Sequence, residues 1–224
     1  MHAELQPQGL EVVTVALDTA GVEAAGRWID AAAPEHPSLI DQAHVLDELL
    51  GIVNVPSGVW IDESGMLVRA PETAWSADPG YRNVELPADA DPRRREAAEL
   101  VSRLTIDSDA YVSALRDWVA HGAASRFALA PDEVVRRSAA RPPEAALAAA
   151  SFELGHNLHL AGHAEDAVPY FRDAHRLQPA NWTYKRQAWA LAGFDGRPND
   201  VYEGDWIADV KALGVENYYP ALDL

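Results

Sequence analysis

The sequence predicts an α/β segment over residues 1–70 joined to an all-helical region over residues 92–224. Three observations predict it. Apolar, β-prone runs alternate with helical stripes up to residue 69, the order expected of a parallel or mixed sheet with helices. From Asp91 onward the apolar residues recur at helical spacing, punctuated by proline and glycine. Between them, residues 71–91 are rich in Pro, Asp and Ala and read as a linker.

Residues 1–9 read as the end of a helix, with His2 to Gln6 as its last turn and Pro7 and Gly9 stopping it. Residues 10–17 are nearly all apolar, which predicts a strand in a sheet covered on both faces. Asp18 and Thr19 close it. A helix follows over 21–33, with Val22, Ala25, Trp28, Ile29 and Ala32 on one face, and Pro34 and Pro37 end it. Ser38, Leu39 and Ile40 form a short strand. Asp41 caps a helix over 42–50, whose apolar side is Val45, Leu46, Leu49 and Leu50, and Gly51 terminates it. The chain then enters a turn at Val55, Pro56 and Ser57. A strand over 58–61 follows, then a hairpin turn over 62–65 in which Gly65 can take positive φ, and a returning strand over 66–69. Proline cannot donate to a β-ladder, so Pro56 belongs to the turn, as an ordinary turn proline or with a cis peptide.

These motifs resemble the thioredoxin-like superfamily, in its ResA/TlpA and redoxin (AhpC/TSA-like) branch. Val55-Pro56-Ser57 stands where that family has a Val-Pro-Thr turn, and Ile61-Asp62-Glu63-Ser64-Gly65 where its strand ends Ile-Asp-x-x-Gly. Residues 9–18 and 41–52 match in order and spacing, so the resemblance covers residues 1–70. It implies a cis proline at Pro56, with Val55, Pro56 and Ser57 shaping a substrate groove. It also implies thiolate or selenolate attack on a protein or peptide disulfide or a peroxide. The family's first strand and Trp-Cys-x-x-Cys loop would lie upstream of Met1, and the chain contains no cysteine. The thioredoxin-like part is therefore expected to be incomplete and the chain as written inactive in redox chemistry. Strands 10–17 and 58–62 would flank the missing strand. Either they pair directly, or the reading frame begins too late, an in-frame selenocysteine codon being one cause. The alternative is a non-catalytic protein-binding scaffold built from the thioredoxin-like and helical parts.

In the helical region, Asp91 caps a helix to about residue 104 with Pro92 at its first position. Asp107 or Ser108 caps the next, with Tyr111, Leu115, Trp118 and Val119 on one stripe. Pro131 and Pro143 open two more. Leu154, Gly155, Leu158, Gly162, Ala167, Phe171, Ala174 and Pro179 fall at the spacings of a tetratricopeptide repeat, predicting a helical hairpin over 143–179. Gly155 and Ala167 would let the helices approach, with Gly162 in the turn. Asn181 to Ala192, Asp205 to Leu213 and a packed aromatic end at Tyr218-Tyr219-Pro220 complete the chain, while residues 81–86 are expected to be extended.

Net charge is −17 over 224 residues, which argues against nucleic-acid partners and an anionic membrane surface. No apolar run spans a bilayer and no signal peptide is visible, so a cytoplasmic protein is the default expectation. Without cysteine, disulfides, thiolate catalysis and Cys-ligated zinc are excluded for the chain as written. His156, His159 and His163, with Glu153 and the more distant His175, lie at spacings that put them on one helix face. They suit zinc or iron, but a polar groove explains them more simply. Asp18, Asp41 and Asp62 each follow a strand, where acid/base or magnesium chemistry is conceivable and a cap or turn is the plainer reading. No cofactor and no metal is expected.

Overall fold

The computed structural model describes residues 1–138, 140–192 and 204–224. The first part holds α1 (His2–Leu5), β1 (Thr14–Leu17), α2 (Val22–Ala32), β2 (Ser38–Asp41), α3 (Val45–Leu50) and a hairpin of β3 (Ser57–Ile61) and β4 (Leu67–Thr73). The remainder is helical: α4 (Pro92–Ser102), α5 (Ser108–His121), α6 (Pro131–Arg137), α7 (Pro143–Leu160), α8 (Ala164–Leu177), α9 (Trp182–Leu191), α10 (Trp206–Leu213) and α11 (Val215–Tyr218). Among the described residues no helix is long and apolar enough to cross a membrane.

The strands form two separate two-stranded sheets. β1 pairs with β2 in parallel, Thr14 opposite Ser38 and Leu17 opposite Asp41. β3 pairs with β4 antiparallel, with irregular register around Trp60. Strands 10–17 and 58–62 thus do not pair directly, and among the described residues β1 and β3 each keep one edge without a strand partner. β1 is also shorter than its apolar run, because β2 offers only four residues to pair with. The expectation of a sheet covered on both faces is not met: no residue of β1 or β2 is buried. On α2 only Ala25 of the apolar face is buried, while Val22 and Trp28 are 74% and 67% exposed.

The hairpin is better covered. Trp60 stacks on Trp118 of α5 at 5.0 Å between ring centroids and its Nε1 donates to the Tyr111 hydroxyl at 3.1 Å. Gly58 makes this possible, since a Cβ there would lie 2.3 Å from the Tyr111 hydroxyl oxygen. Leu5, Leu115 and Phe127 complete this cluster, so packing crosses the expected boundary at residues 71–91. Of residues 81–86, expected to be extended, 81–83 belong to a 3-10 turn over Gly80–Asn83.

The larger core lies among the helices. α7 and α8 form a hairpin in which Gly155 lets the backbone approach Phe171 and the Ala167 carbonyl, at 3.1 and 3.3 Å from where its Cβ would stand. Phe152 stacks on Tyr184 of α9 at 4.4 Å, and Trp182, Trp189, Val210 and Tyr218 fill the remaining volume. Helix starts follow local chemistry: Asp91, Asp107, Asn181 and Asp205 each accept backbone N–H groups of their own first turn.

Candidate functional site

The turn that precedes β3 is where the described structure concentrates its specific contacts. The Val55–Pro56 peptide is cis. Gly51, at φ 71°, ends α3 and turns the chain into this segment. Four successive carbonyls then find donors within the chain. Val53 accepts from the Trp182 and Thr183 amides at 2.6 and 3.3 Å. The Asn54 carbonyl accepts from Ser57 Oγ at 2.7 Å. Val55 accepts from the Tyr219 hydroxyl at 2.9 Å, and Pro56 from the Ala74 amide at 3.1 Å. Asn54 is buried; its Nδ2 donates to the Tyr218 carbonyl at 2.7 Å and its Oδ1 accepts the Val55 amide at 2.9 Å.

The C-terminal residues 218–223 are therefore part of the turn's environment. Burial first, and then the neighbouring Tyr218, push the Tyr219 hydroxyl well above the usual tyrosine range, so it stays a neutral donor. Trp75 closes over it edge-on at 5.5 Å. A cavity of about 360 Å³ lies against the turn, bounded by Asn54, Ser57, Trp182 and Tyr218 and by the β4 residues Arg69 to Thr73. Arg69 is 2% exposed and fully engaged, forked on Glu72 at 2.6 and 2.9 Å and donating to the Phe127 and Asp223 carbonyls. Arg137 also donates to the Asp223 carbonyl, at 3.2 Å, so two arginines fix the end of the chain beside the cavity.

Of the three residues of the turn, Ser57 lines the cavity, and Val55 and Pro56 do not. The carbonyls of Val55 and Pro56 already have donors within the chain, the Val55 carbonyl from the Tyr219 hydroxyl. Asn54, Tyr218, Tyr219 and Trp182, which supply the turn's partners, were not singled out by sequence reasoning as site residues. The Tyr-Tyr-Pro end marked a packed aromatic segment, but its partner lies more than 160 positions away at a separation of |i−j|=164.

The other candidates separate. Among the described residues no group of three His, Asp or Glu side chains is arranged to hold a metal. The helix carrying His156 and His159 ends at Leu160, so His163 does not share their face. It is the exposed N-cap of α8, 3.7 Å from Asp166. Asp18, Asp41 and Asp62 act in turns: Asp18 accepts the Ala20 amide, Asp41 the Leu46 amide at 2.6 Å, and Asp62 Oδ1 the Ser64 and Met66 amides. The Ser64 hydroxyl first, and then these amides, hold the Asp62 carboxyl below its usual value.

No protein-family model, no characterised protein and no solved structure matches this chain.

Proposed function

We propose that this chain is the groove-bearing part of a thioredoxin-like oxidoreductase of the ResA/TlpA/redoxin type, acting on protein or peptide disulfides or on peroxides. The chain has no cysteine, so the thiolate or selenolate would be supplied from outside these 224 residues. One observation carries the reading. A parallel strand pair and an antiparallel hairpin stand as separate sheets, each with an open edge, on the two sides of the Val55-Pro56-Ser57 turn in sequence. A single added strand would convert them into one mixed sheet. It would also supply partners for the outward-facing backbone of β1, where among the described residues the Leu17 carbonyl accepts from Gln187 Nε2 at 3.0 Å. In the proposed reaction the thiolate or selenolate attacks one sulfur of the substrate disulfide, expels the other as a thiolate, and leaves a mixed disulfide for a second thiol to resolve.

The test compares this chain with the product of the same gene extended in frame on its N-terminal side. Insulin-disulfide and peroxide reduction are expected only from the extended product. An extended product that contains cysteine or selenocysteine yet reduces neither overturns the reading.

A second reading, a non-catalytic scaffold, is favoured by the satisfied carbonyls of the turn. Under it the extended product is inactive, and the 224-residue chain itself binds a peptide, as measured by titration calorimetry.

A further inference from the structure

The joint between the α/β segment and the helical domain contains a cluster of imidazoles that the turn does not use. His44 precedes α3 in the left-handed region at φ 57°, a conformation that costs a non-glycine residue free energy unless its surroundings hold it there. What holds it is burial and one hydrogen bond. His44 is 1% exposed and Asp47 2%, and His44 Nδ1 lies 2.8 Å from Asp47 Oδ2. The other Asp47 oxygen accepts the Glu48 amide at 3.1 Å. A carboxylate on Nδ1 makes that nitrogen the donor and leaves Nε2 as the ring's other polar atom.

The His44 ring meets Phe152 of α7 edge-on at 5.3 Å, and Phe152 lies nearly parallel to His156 at 6.2 Å. His156 is 6% exposed. His44 Nε2, His156 Nε2 and His159 Nδ1 are all buried with no hydrogen-bond partner among the described residues. On α3, Asp47 is committed to His44, and Glu48 pairs with Arg141, which precedes α7. On α7, Glu153 is exposed and His159 adds a further imidazole. From α8 and α9 the neighbouring groups are Phe171 and the Tyr184 ring. The charged groups of α9 are engaged elsewhere, Lys185 with Asp209 and Arg186 with the Tyr218 hydroxyl.

One carboxylate can compensate one imidazolium. A proton on His156 meets an aromatic wall and another imidazole, with no carboxylate hydrogen-bonded to Nε2 among the described residues. We propose that His44, Asp47 and His156 form an acid-sensitive latch between α3 and α7, which holds the α/β segment on the helical domain near neutral pH and releases it as His156 is protonated. The inference does not depend on the redox reading. Burial, and then the proximity of His44 and His159, lower the affinity of His156 for a proton in the folded state. The unfolded chain then binds more protons than the folded one, so stability falls as pH drops below the ordinary histidine value of 6.5.

Hydrogen-exchange protection factors, measured on the full chain at about pH 7.5 and about pH 5.5, test this across the range in which imidazoles titrate. In the unmodified protein, residues 44–52 are expected to lose protection by at least about fivefold at the lower pH, while α8 keeps its own. His156→Gln, which cannot take the proton, should retain protection of residues 44–52 to within about twofold. Equal loss in both proteins, or no loss in the unmodified one, overturns the latch. If His156→Gln fails to fold, the imidazole resonances of the unmodified protein decide. Titration of His156 in step with the loss of α3 protection supports the proposal, and midpoints more than about one pH unit apart overturn it.

Discussion

The α/β segment and the helical domain differ less in their local structure than in what covers it. In the helical domain Phe171, Ala174, Trp182 and Val210 are completely buried. In the α/β segment the buried apolar residues are Leu5, Ala25 and Trp60, and two of these three pack in the cluster built on α5. Val13, Val22, Trp28, Leu39, Val45 and Leu49 stand exposed on that segment. Beside the apolar packing of Leu5 and Trp60 on α5, its attachments to the helices are polar: Gln187 to Thr19 and Leu17, the Trp182 amide to Val53, and Arg141 to Glu48. The lesson is that an amphipathic stripe or an apolar strand buries its apolar face only where a partner surface is present.

Truncation is the strongest way to sharpen this contrast. Phe171→Ala should cost about 3–5 kcal/mol in a urea titration, because Phe171 is fully buried between α7 and α8. Leu49→Gln, at a residue 77% exposed, should stay within about 0.5 kcal/mol. A comparable loss at Leu49 would break the comparison and show that α3 is covered in solution.

Gly58→Ala is next. Its Cβ would stand 2.3 Å from the Tyr111 hydroxyl and 2.8 Å from Ala74 Cβ, so a loss of about 1–3 kcal/mol is expected. Adding Tyr111→Phe, which removes the hydroxyl, should recover part of it in a double-mutant cycle. The turn's clamp is weaker. Tyr219→Phe leaves the Val55 carbonyl without its donor and should cost about 1–3 kcal/mol if water cannot replace it, and less where it can. Chemical-shift changes should then centre on residues 53–57.

The smallest effect concerns pH at the helical surface. Arg136 and then Arg137 hydrogen-bond Glu133 and bring its carboxyl down from 4.5 to about 2. A depressed carboxyl contributes stability that is present above its unfolded value and lost as pH falls through the folded one. Glu133 is solvent-facing in this respect, so solvent screens the pair and Glu133→Gln should alter only the acid limb between 4.5 and about 2. A carbon-detected titration of Glu133 with a midpoint near 4.5 would show that the arginine forks do not persist in solution.

Much of the secondary structure was legible from residues close in sequence. Asp91 with Pro92, Asn181, and Gly65 at φ 83° act where their local chemistry places them. The α7–α8 hairpin could be read from Gly155, Ala167 and Phe171, because small and large residues at fixed helical spacing meet across a short turn. The site was only half legible. Val55, Pro56 and Ser57 could be found from their motif, but not the donors that satisfy Val53 and Val55, nor the Tyr218 carbonyl that accepts from Asn54, which lie on α9 and at the C-terminus. His156 and His159 were visible as a helical pair, and their third neighbour proved to be His44 on α3 rather than His163.

By itself the sequence determined the caps at Asp91 and Asp107, the hairpin turn, the close helical pair and the lack of cysteine in these 224 residues, since each depends on neighbours within a turn or on composition, whereas α3 begins at Val45 after His44 and not at residue 42 after Asp41. The tertiary structure alone decided that β1 and β3 stay in separate sheets, that the Val55–Pro56 turn is clamped by Tyr219, and that Asp47 is buried against His44. The physical reason is range. Backbone preference and capping act over three or four residues, whereas strand pairing, carbonyl satisfaction and charge burial depend on groups brought together only when the chain is packed.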